Sequence, residues 1–407
     1  MSCKKNILVL TQWSYKDALI QAYTLPYVKI IAKYLPKGSK IYLVTFEQKS
    51  HKIQKSELKD IKYELKENGI HLLNFSYSTF GIISLIKYSL AFFSLLFIIF
   101  TKKIKFIHAW CTPAGALGYA LSIFTGKPLI IDSYEPHAEA MVENKTWNKN
   151  SFKYRLLFYF EKKQSQRANI IITTTEGMKD YALKKYGVDL DNFYVKPACT
   201  DMKIFSINKK KDKNLSAELQ TINKIVCVYA GKFGGIYLSK EVFDFFRESE
   251  KKWGDKFRAL LLTPTPKEEL NKLAKDSGFD PTKMIVRFVD HKDISRYMGL
   301  GDFAITPVKP IPTKKYCTPI KDGEYWGLGL PVVITAGISD DSEIIEKFNA
   351  GAVIKELTTS GYKNAIDKIE LLLNDETTAL RIHNIAEKYR SFEIADKIYK
   401  SIYGTIH

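Results

Sequence analysis

Residues 318–333 read TPIKDGEYWGLGLPVV and predict a short helix that turns directly into a β-strand. Thr318 can cap the amino end of this helix, and Pro319 fits its first turn, where no backbone N–H is needed. The free N–H groups of such an end suit a phosphate, and Lys321 adds a full positive charge beside them. Glu324 lies one turn further on, about 5–6 Å from Lys321, where its carboxylate can accept two sugar hydroxyls. The stretch therefore predicts an anion-binding corner between a helix and a strand.

The rest of the chain alternates apolar runs, which predict β-strands, with longer helical stretches. Continuously apolar runs are typical of parallel strands covered on both faces, and the helical stretches supply the crossovers of βαβ units. In the first half, the predicted strands are Asn6–Thr11, Lys40–Phe46, Ile70–Phe75, Phe106–Trp110, Pro128–Asp132, Asn169–Thr174 and Phe193–Val195. After a charged stretch at 209–214, they are Lys224–Ala230, Arg258–Thr263, Met284–Val289, Asp302–Thr306, Pro331–Thr335 and Ala352–Ile354. The 407 residues therefore predict an α/β fold of two tandem Rossmann-like, doubly wound domains facing across a cleft.

Composition places the chain among soluble globular proteins, because 45% of its residues are apolar and 26% are charged. The five cysteines lack C-x-x-C spacing, which argues against a disulfide framework and fits a reducing, cytoplasmic compartment. The net charge of +18 divides unevenly, with +14 in residues 1–200 and +4 in residues 201–407. The first half is therefore expected to face nucleic acid, an anionic membrane or a phosphorylated substrate, although a lysine-rich composition would also raise the total.

The segment 82–100, IISLIKYSLAFFSLLFIIF, favours the membrane over nucleic acid as that partner. It is long enough to span a bilayer, but soluble α/β patterning on both sides argues against a span. Two interpretations stay open: a helix lying in the membrane interface with Lys102, Lys103 and Lys105 on lipid phosphates, or a buried helix of an α/β domain. The polar stripe of this helix is unusually narrow, which favours peripheral attachment to the inner face of the membrane and no binding of nucleic acid.

The stretch 318–333 resembles the donor-binding helix of glycosyltransferases with the GT-B fold, of the family 4 type. Their common pattern is S/T-P-x-K-x-x-E-Y-x-x-x-G-x-P-V-V, and this sequence fills every fixed position. The resemblance implies that Glu324 holds the ribose of a nucleotide and that the start of the helix holds its diphosphate through Thr318, Pro319 and Ile320. Tyr316 stands where many members carry a glutamate that touches the donor sugar, so the resemblance leaves that sugar open.

Three further stretches carry the resemblance: PACTDMKIF at 197–205, YAGKFGGIY at 229–237, and the segment 290–307. The glycines of the second stretch permit close backbone approach to a phosphate or a sugar. A basic residue after the first glycine, and another further on, are implied to neutralise the donor phosphates. The expected donor-side residues are therefore Gly231, Lys232, Gly234, Gly235 and Lys240, with His291 near the nucleotide base.

In the first domain, the polar residues that follow predicted strands are the candidates for the sugar and acceptor side. The resemblance implies that His137 touches the donor sugar, and Glu135 is a candidate for acceptor binding or for the base. If the reaction inverts the anomeric configuration, Glu135 or Asp132 is the base to test. The expected acceptor-side residues are Ser14, Tyr15, Lys16, His108 and Asp132, although a lone histidine such as His108 is more often a structural hydrogen-bond partner.

The resemblance covers nearly the whole chain and implies its division of labour. Residues 1–200 would bind the acceptor, residues 201–385 the nucleotide sugar, and the helix 386–407 would cross back to the first domain. The implied reaction moves a sugar from a nucleotide-diphosphate donor with retention, using no cofactor beyond that co-substrate. Lys232, Lys321 and the helix end would neutralise the leaving phosphates, so no metal is expected.

The acceptor expected from the basic first half and the 82–100 helix is a lipid-linked or surface polysaccharide intermediate. The D-x-D sequence at 189–191 lies in a polar turn far from any donor motif, which predicts a surface loop rather than a metal site. Two alternatives remain: a soluble nucleotide-sugar epimerase of the same fold, and a non-catalytic scaffold at the membrane. Intact Lys232, Lys321 and Glu324 argue against the scaffold, and the Lys, Ile and Asn richness points to a bacterial source.

Overall fold

The computed structural model describes residues 4–49, 53–78, 82–290 and 292–404, and it divides into two compact units. Unit 1 contains Met1–Lys196 and Glu393–His407, and unit 2 contains Pro197–Phe392. The chain therefore returns to the first unit after residue 392, against the expected 385. The difference arises because the helix ending at Arg390 buries Ile382, Ile385 and Ala386 in the core of unit 2.

Unit 1 is a seven-stranded parallel sheet covered by helices, with strand order β3-β2-β1-β4-β5-β6-β7. Its strands are β1 (Asn6–Leu10), β2 (Ile41–Glu47), β3 (Ile70–Ser76), β4 (Ile104–Trp110), β5 (Leu129–Tyr134), β6 (Ile170–Thr173) and β7 (Phe193–Val195). Its helices include α1 (Leu25–Tyr34), α2 (Lys55–Glu67), α3 (Ile82–Thr101), α4 (Cys111–Thr125), α5 (His137–Glu143), α6 (Phe152–Arg167) and α7 (Met178–Tyr186). A π-helical segment, Leu19–Thr24, runs directly into α1.

Unit 2 is a six-stranded parallel sheet with strand order β10-β9-β8-β11-β12-β13. Its strands are β8 (Ile225–Ala230), β9 (Phe257–Leu262), β10 (Met284–Arg287), β11 (Phe303–Thr306), β12 (Val332–Thr335) and β13 (Gly351–Ile354). Its helices are α8 (Lys213–Glu218), α9 (Lys240–Trp253), α10 (Lys267–Ser277), α11 (Ile294–Met298), α12 (Ile320–Gly327), α13 (Asp341–Phe348), α14 (Thr359–Leu373) and α15 (Thr378–Arg390). The last helix of the chain, α16 (Phe392–Gly404), packs in unit 1.

The predicted α/β class and the parallel strands are confirmed, and each of the thirteen strands lies within two residues of its predicted bounds. In each sheet the strand order reverses once, between β1 and β4 in unit 1 and between β8 and β11 in unit 2. Loops leave such a reversal in opposite directions and open a crevice at the carboxyl ends of the strands. The two reversals therefore mark where each unit is built to bind a ligand.

The helix predicted at 82–100 is present as α3, and its polar stripe is split between surface and interior, with Lys87 and Ser94 exposed. Ser84 and Ala91 are buried, together with Leu95 and Ile99, and these residues pack α3 onto unit 1. Much of the exposed surface of α3 is apolar instead. Within the described residues, no helix combines the length and the hydrophobicity needed to cross a membrane.

Candidate functional site

The loop after β8 brings a glycine against a lysine at the strand reversal of unit 2. Gly231 has φ +150°, and a Cβ atom built there would lie 2.7 Å from Cε of Lys321. The φ value favours glycine, and a larger residue would displace the end of the Lys321 side chain from the end of β8. Gly234 and Gly235, with φ +77° and +61°, form the turn that follows, and a Cβ atom built at Gly235 would meet nothing within 4 Å.

Backbone hydrogen bonds hold this glycine loop against the segment that follows β11. Leu238 N–H donates to the carbonyl of Pro307 at 2.7 Å, and Lys309 N–H donates to the carbonyl of Ile236 at 3.0 Å. Tyr237 pairs with Val308 as an isolated antiparallel bridge. The loop therefore closes over the β8–β11 reversal in one fixed arrangement.

Tyr237 is a site residue that the sequence did not single out. Nζ of Lys321 donates a hydrogen bond of 3.0 Å to the Tyr237 hydroxyl and lies 4.4 Å from the centre of its ring. The cation–π contact and the hydrogen bond together fix the lysine ammonium beside the glycine loop. The sequence near Tyr237 does not distinguish it from Phe233 or Tyr229. Its position is fixed by the bridge to Val308, which is distant in sequence.

Glu324 is nearly buried, with 8% of its surface exposed, and its carboxylate accepts no hydrogen bond from the described residues. Burial raises the pKa of Glu324 to about 7, and the positive charge of Lys321 opposes that rise. The next residue, Tyr325, fixes the helix, since its hydroxyl accepts the Ala230 N–H of β8 at 2.9 Å. Burial of this carboxylate costs stability, and its oxygens have acceptor capacity that the described residues leave unused.

The amino end of α12 differs from the predicted cap. Pro319 occupies the N-cap position and makes no side-chain capping bond, and the helix begins at Ile320. The Thr318 hydroxyl shares a hydrogen bond of 3.1 Å with the Ser339 hydroxyl instead, so the predicted Thr318 cap is wrong. The competing partner comes from the loop after β12. The first N–H groups of α12 still lack intrahelical acceptors, as they do in every α-helix.

The back of α12 is anchored by buried charges. Asp322 accepts a short hydrogen bond from the Thr306 hydroxyl at the end of β11. Burial raises the pKa of Asp322 to about 6, although Thr306, Arg390 and Lys321 each lower it. Arg390 forms a buried ion pair with Asp341 and lies 5.2 Å from the Trp326 ring. These contacts fix the rotation of α12, so that Lys321 and Glu324 keep their places.

The lysines predicted for the donor side are not all held at the glycine loop as Lys321 is. Lys232 is exposed, and its carbonyl accepts a short hydrogen bond from the Tyr229 hydroxyl. Lys240 is the first residue of α9, and its ammonium pairs with Asp244 one turn on at 2.7 Å, which is a surface helix pair. His291 lies outside the described residues.

In unit 1, the structure brings Glu135 and His137 together after β5. His137 Nδ1 lies 3.8 Å from Glu135 Oε1, and both side chains are about one-third exposed. Behind them is Glu161 on α6, which the sequence did not single out. It is fully buried, and it accepts the Ala138 N–H at 2.8 Å and the Tyr186 hydroxyl at 2.9 Å. Burial raises the pKa of Glu161 to about 7, and those two hydrogen bonds oppose the rise.

His108 and Asp132 are fully buried, so the structure assigns them to the interior of unit 1 rather than to an open acceptor surface. Asp132 pairs with Lys196 at 3.2 Å and accepts the Tyr399 hydroxyl at 2.6 Å, while His108 bonds the Tyr403 hydroxyl at 2.7 Å. Burial acts to raise the pKa of Asp132, but Lys196, His108 and Tyr399 outweigh it and lower it to about 2. Burial also lowers the pKa of His108. This network holds α16 to the sheet.

The loop after β1 is only partly available to an acceptor. Ser14 is fully buried, and its hydroxyl accepts the Gln48 N–H at 2.8 Å. Tyr15 is also buried, which raises the pKa of its hydroxyl. Lys16 is exposed and forms an ion pair of 2.8 Å with Glu57. Of the three predicted residues, Lys16 alone presents its side chain to solvent.

The residues at 189–191 form a surface loop as predicted, since Asp189 and Asp191 are exposed and Asp189 lies 3.7 Å from Lys179. Within the described part of the chain, no three His, Cys, Asp or Glu side chains come together in a way that could hold a metal ion.

Solved structures with the same two-unit architecture identify the fold. Sucrose-phosphate synthase from Thermosynechococcus elongatus matches with a TM-score of 0.72 at 12% identity, covering 98% of each chain. HepE from Anabaena, in complex with UDP-glucose, matches with a TM-score of 0.72 at 15% identity, covering 98% of this chain and 100% of that one. WaaG, a glycosyltransferase involved in lipopolysaccharide biosynthesis, matches with a TM-score of 0.69 at 13% identity and the same coverage. The chain therefore has the GT-B fold.

The fold is shared by more than one enzyme class. A putative UDP-N-acetylglucosamine 2-epimerase from Listeria monocytogenes matches with a lower TM-score of 0.62 at 13% identity, covering 98% of this chain and 96% of that one. No protein-family model matches the sequence, and no curated protein matches it significantly. Because these structural matches are distant in sequence, they establish the fold alone.

Proposed function

We propose that the protein is a glycosyltransferase that binds a nucleoside-diphosphate sugar at the β8–β11 reversal of unit 2. The observation that carries this proposal is the placement of Lys321 and Glu324 one turn apart on α12, the lysine held against Gly231 and the carboxylate buried. A buried carboxylate without a hydrogen-bond partner suits the two hydroxyls of a ribose, and a lysine fixed against Gly231 suits a diphosphate. UDP is the first nucleotide to test, since the HepE structures were solved with UDP and UDP-glucose.

Transfer requires the diphosphate to leave while positive charge develops on the sugar. Lys321, Lys232 and the amino end of α12 would neutralise the leaving phosphates as preorganised charges, so we propose catalysis without a metal or a further cofactor. The leaving phosphate would itself help to deprotonate the acceptor, which corresponds to retention of configuration. We assign His137 to the donor sugar and Glu135 to the acceptor hydroxyl, and their 3.8 Å approach supports a shared role.

We propose that the acceptor is a lipid-linked or surface polysaccharide intermediate, and that the protein acts at the inner face of the membrane. Three observations support this class. Residues 1–200 carry a net charge of +14, which suits the phosphates of lipids and of lipid-linked sugars. The exposed side of α3 is largely apolar. WaaG, which shares the fold, takes part in lipopolysaccharide biosynthesis.

The second candidate function is a nucleotide-sugar epimerase, which the Listeria neighbour supports at a lower TM-score. An epimerase acts on a soluble substrate and gains nothing from an exposed apolar helix. A non-catalytic scaffold is the third candidate, but it has no use for a buried, unpartnered Glu324 that costs stability.

The test begins with isothermal titration of the purified protein against UDP, GDP, ADP and uridine. A transferase or an epimerase binds one nucleoside diphosphate, and Glu324→Ala abolishes that binding without loss of fold by circular dichroism. Mass spectrometry of the products from the matching nucleotide sugar then separates the two enzymes, since a transferase releases the free diphosphate and an epimerase releases an isomeric nucleotide sugar. Absence of binding to every nucleotide would overturn both assignments in favour of the scaffold.

A further inference from the structure

An exposed apolar patch extends over two helices of unit 1. Its six side chains are 54–70% exposed, and we call them the α3–α4 patch: Leu90, Phe93, Phe97, Phe100, Ile123 and Phe124. The four α3 residues recur at helical spacings of three and four, so they share one side of that helix. Phe92 joins the two helices by an edge-to-face contact with Phe124, with ring centres 5.4 Å apart. The patch is therefore a continuous surface and not a set of scattered side chains.

The patch is part of a folded element. The opposite side of α3 is packed into unit 1 through Ala91, Leu95 and Ile99, each at most 2% exposed. Soluble monomers rarely leave a contiguous apolar surface of this kind uncovered, and such surfaces mark contact with a protein or a membrane. The patch is therefore a candidate contact surface, and the charges of the stretch that carries it favour one kind of partner.

Every charged residue in the stretch of sequence that carries the patch is basic. Residues 68–131 contain five lysines and no aspartate or glutamate, and Lys87 and Lys102 lie exposed on or beside α3. An apolar helix surface with lysines at its margin matches an anionic bilayer, where rings enter the acyl boundary and ammonium groups meet lipid phosphates. A second copy of the chain fits less well, because a two-fold contact would bring the lysines of this stretch together, and the stretch itself has no acidic residue to offset them.

The position of α3 in unit 1 relates the patch to the predicted acceptor loop. The Tyr88 hydroxyl donates to Gln12 Oε1 at 3.4 Å, and the Tyr88 ring lies 5.1 Å from that of Phe46 near the end of β2. The first half of α3 therefore lies beside the carboxyl ends of β1 and β2, while Lys102 lies where the chain enters β4. The patch begins at Leu90, two residues after Tyr88, and extends away from those strand ends toward Phe100.

We propose that the α3–α4 patch docks unit 1 on an anionic lipid bilayer, with its aromatic rings at the boundary between head groups and acyl chains. Docked in this way, unit 1 stays at the surface that holds the head group of a lipid-linked acceptor. The second statement rests on the proposed function, whereas the docking itself does not.

The experiment measures co-sedimentation of the full chain with vesicles of phosphatidylcholine and phosphatidylglycerol, and with phosphatidylcholine alone. The double variant Phe93→Gln/Phe97→Gln removes two exposed rings, each of which contributes about a tenfold factor to partitioning, so binding falls about 100-fold. The matched control is Leu183→Gln/Leu371→Gln, which changes two equally exposed apolar residues on α7 and α14 and leaves binding within about twofold. Circular dichroism verifies that both variants are folded.

The charge contribution is measured separately. Lys87→Gln/Lys102→Gln lowers binding to the anionic vesicles about 30-fold, because each lysine near an anionic surface contributes about fivefold. The same variant binds phosphatidylcholine vesicles as the unchanged protein does. Added salt weakens both proteins on anionic vesicles, and it weakens the unchanged protein more, because Lys103, Lys105 and Lys127 remain in the variant.

Three results would overturn the proposal. The first is failure of the unchanged protein to bind either kind of vesicle. The second is binding of Phe93→Gln/Phe97→Gln that equals that of the unchanged protein. The third is a dimer, detected by light scattering, that this variant dissociates. The last result would identify the patch as an interface between copies. Titration of the same proteins with UDP separates the docking proposal from the proposed function. If the protein binds vesicles but no nucleotide, the docking stands and the transferase assignment, with its lipid acceptor, is wrong.

Discussion

Replacing Glu324 tests the proposed nucleotide site directly. A carboxylate that accepts two ribose hydroxyls makes two charge-assisted hydrogen bonds, each of which contributes about 1.5–3 kcal/mol. Glu324→Ala removes both, so the Kd of UDP should rise by about 10²–10⁴-fold. Glu324→Gln keeps one acceptor oxygen of the same shape and should lose about half of that free energy. Isothermal titration at pH 8 measures all three proteins, with Glu248→Gln as a control carboxyl in the same unit.

The pH dependence of binding adds a second readout. Because the pKa of Glu324 is about 7, the carboxylate that accepts the hydroxyls is fully formed at pH 8 and is about one-tenth populated at pH 6. The Kd of UDP should therefore rise about tenfold between those values. Glu324→Gln lacks this titration, so subtracting its profile removes the titration of UDP itself. Equal affinity of Glu324→Ala and the unchanged protein would refute the assignment, as would identical pH profiles of the unchanged protein and Glu324→Gln.

The stability of the nucleotide-free protein should fall as pH rises, whereas its affinity for UDP should increase. Burial raises the folded-state pKa of Glu324 from 4.5 to about 7, so the folded state favours the neutral acid. The free energy of unfolding therefore falls as pH rises from about 4.5 to 7, by about 3 kcal/mol, and changes no further above pH 7 through this group. Glu324→Gln should remove that penalty and raise Tm at pH 8, while it weakens UDP binding. A lower Tm for this variant at pH 8 would contradict the burial argument.

Three further substitutions test the surroundings. Tyr237→Phe removes the hydroxyl that accepts from Lys321 and should weaken UDP binding about fivefold, with uridine binding unchanged in the same titrations. Gly231→Ala should weaken UDP binding more than tenfold, because its Cβ would meet Lys321 at 2.7 Å and its φ of +150° suits glycine; unchanged affinity would argue that the loop does not contact the ligand. Lys196→Met leaves Asp132 charged and buried and should lower the free energy of unfolding by about 3–5 kcal/mol in urea, with partial recovery in Lys196→Met/Asp132→Asn.

The strands and the donor helix could be predicted because their signals are local. A buried parallel strand is a short apolar run, and the helix–strand corner at 318–333 carries its cap, charges and turn within sixteen residues. Both are confirmed as elements. The Thr318 cap failed because Ser339, from a different loop, competes for its hydroxyl. A local rule cannot anticipate a partner brought near by the fold.

The burial of His108 and Asp132 could not be predicted for a similar reason. Both follow the rule that polar residues at strand ends line a site, and the rule holds when the strand end is open. Here α16 returns from the end of the chain and covers them, with Tyr399 and Tyr403 as hydrogen-bond partners. Lys196 completes the network from the end of the last strand of unit 1. Polar residues at a strand end therefore indicate a site only where no later element covers them.

Two buried glutamates show why a raised pKa alone does not mark a ligand site. Glu161 and Glu324 are both buried, and burial raises the pKa of each to about 7. Glu161 accepts hydrogen bonds from Ala138 N–H and the Tyr186 hydroxyl, so its oxygens are satisfied by the protein and it positions the start of α5. Glu324 accepts none from the described residues, although Lys321 lies one turn away. The unfilled hydrogen-bonding capacity of Glu324, rather than its pKa, is what a ligand would satisfy, and it distinguishes a binding group from a structural one.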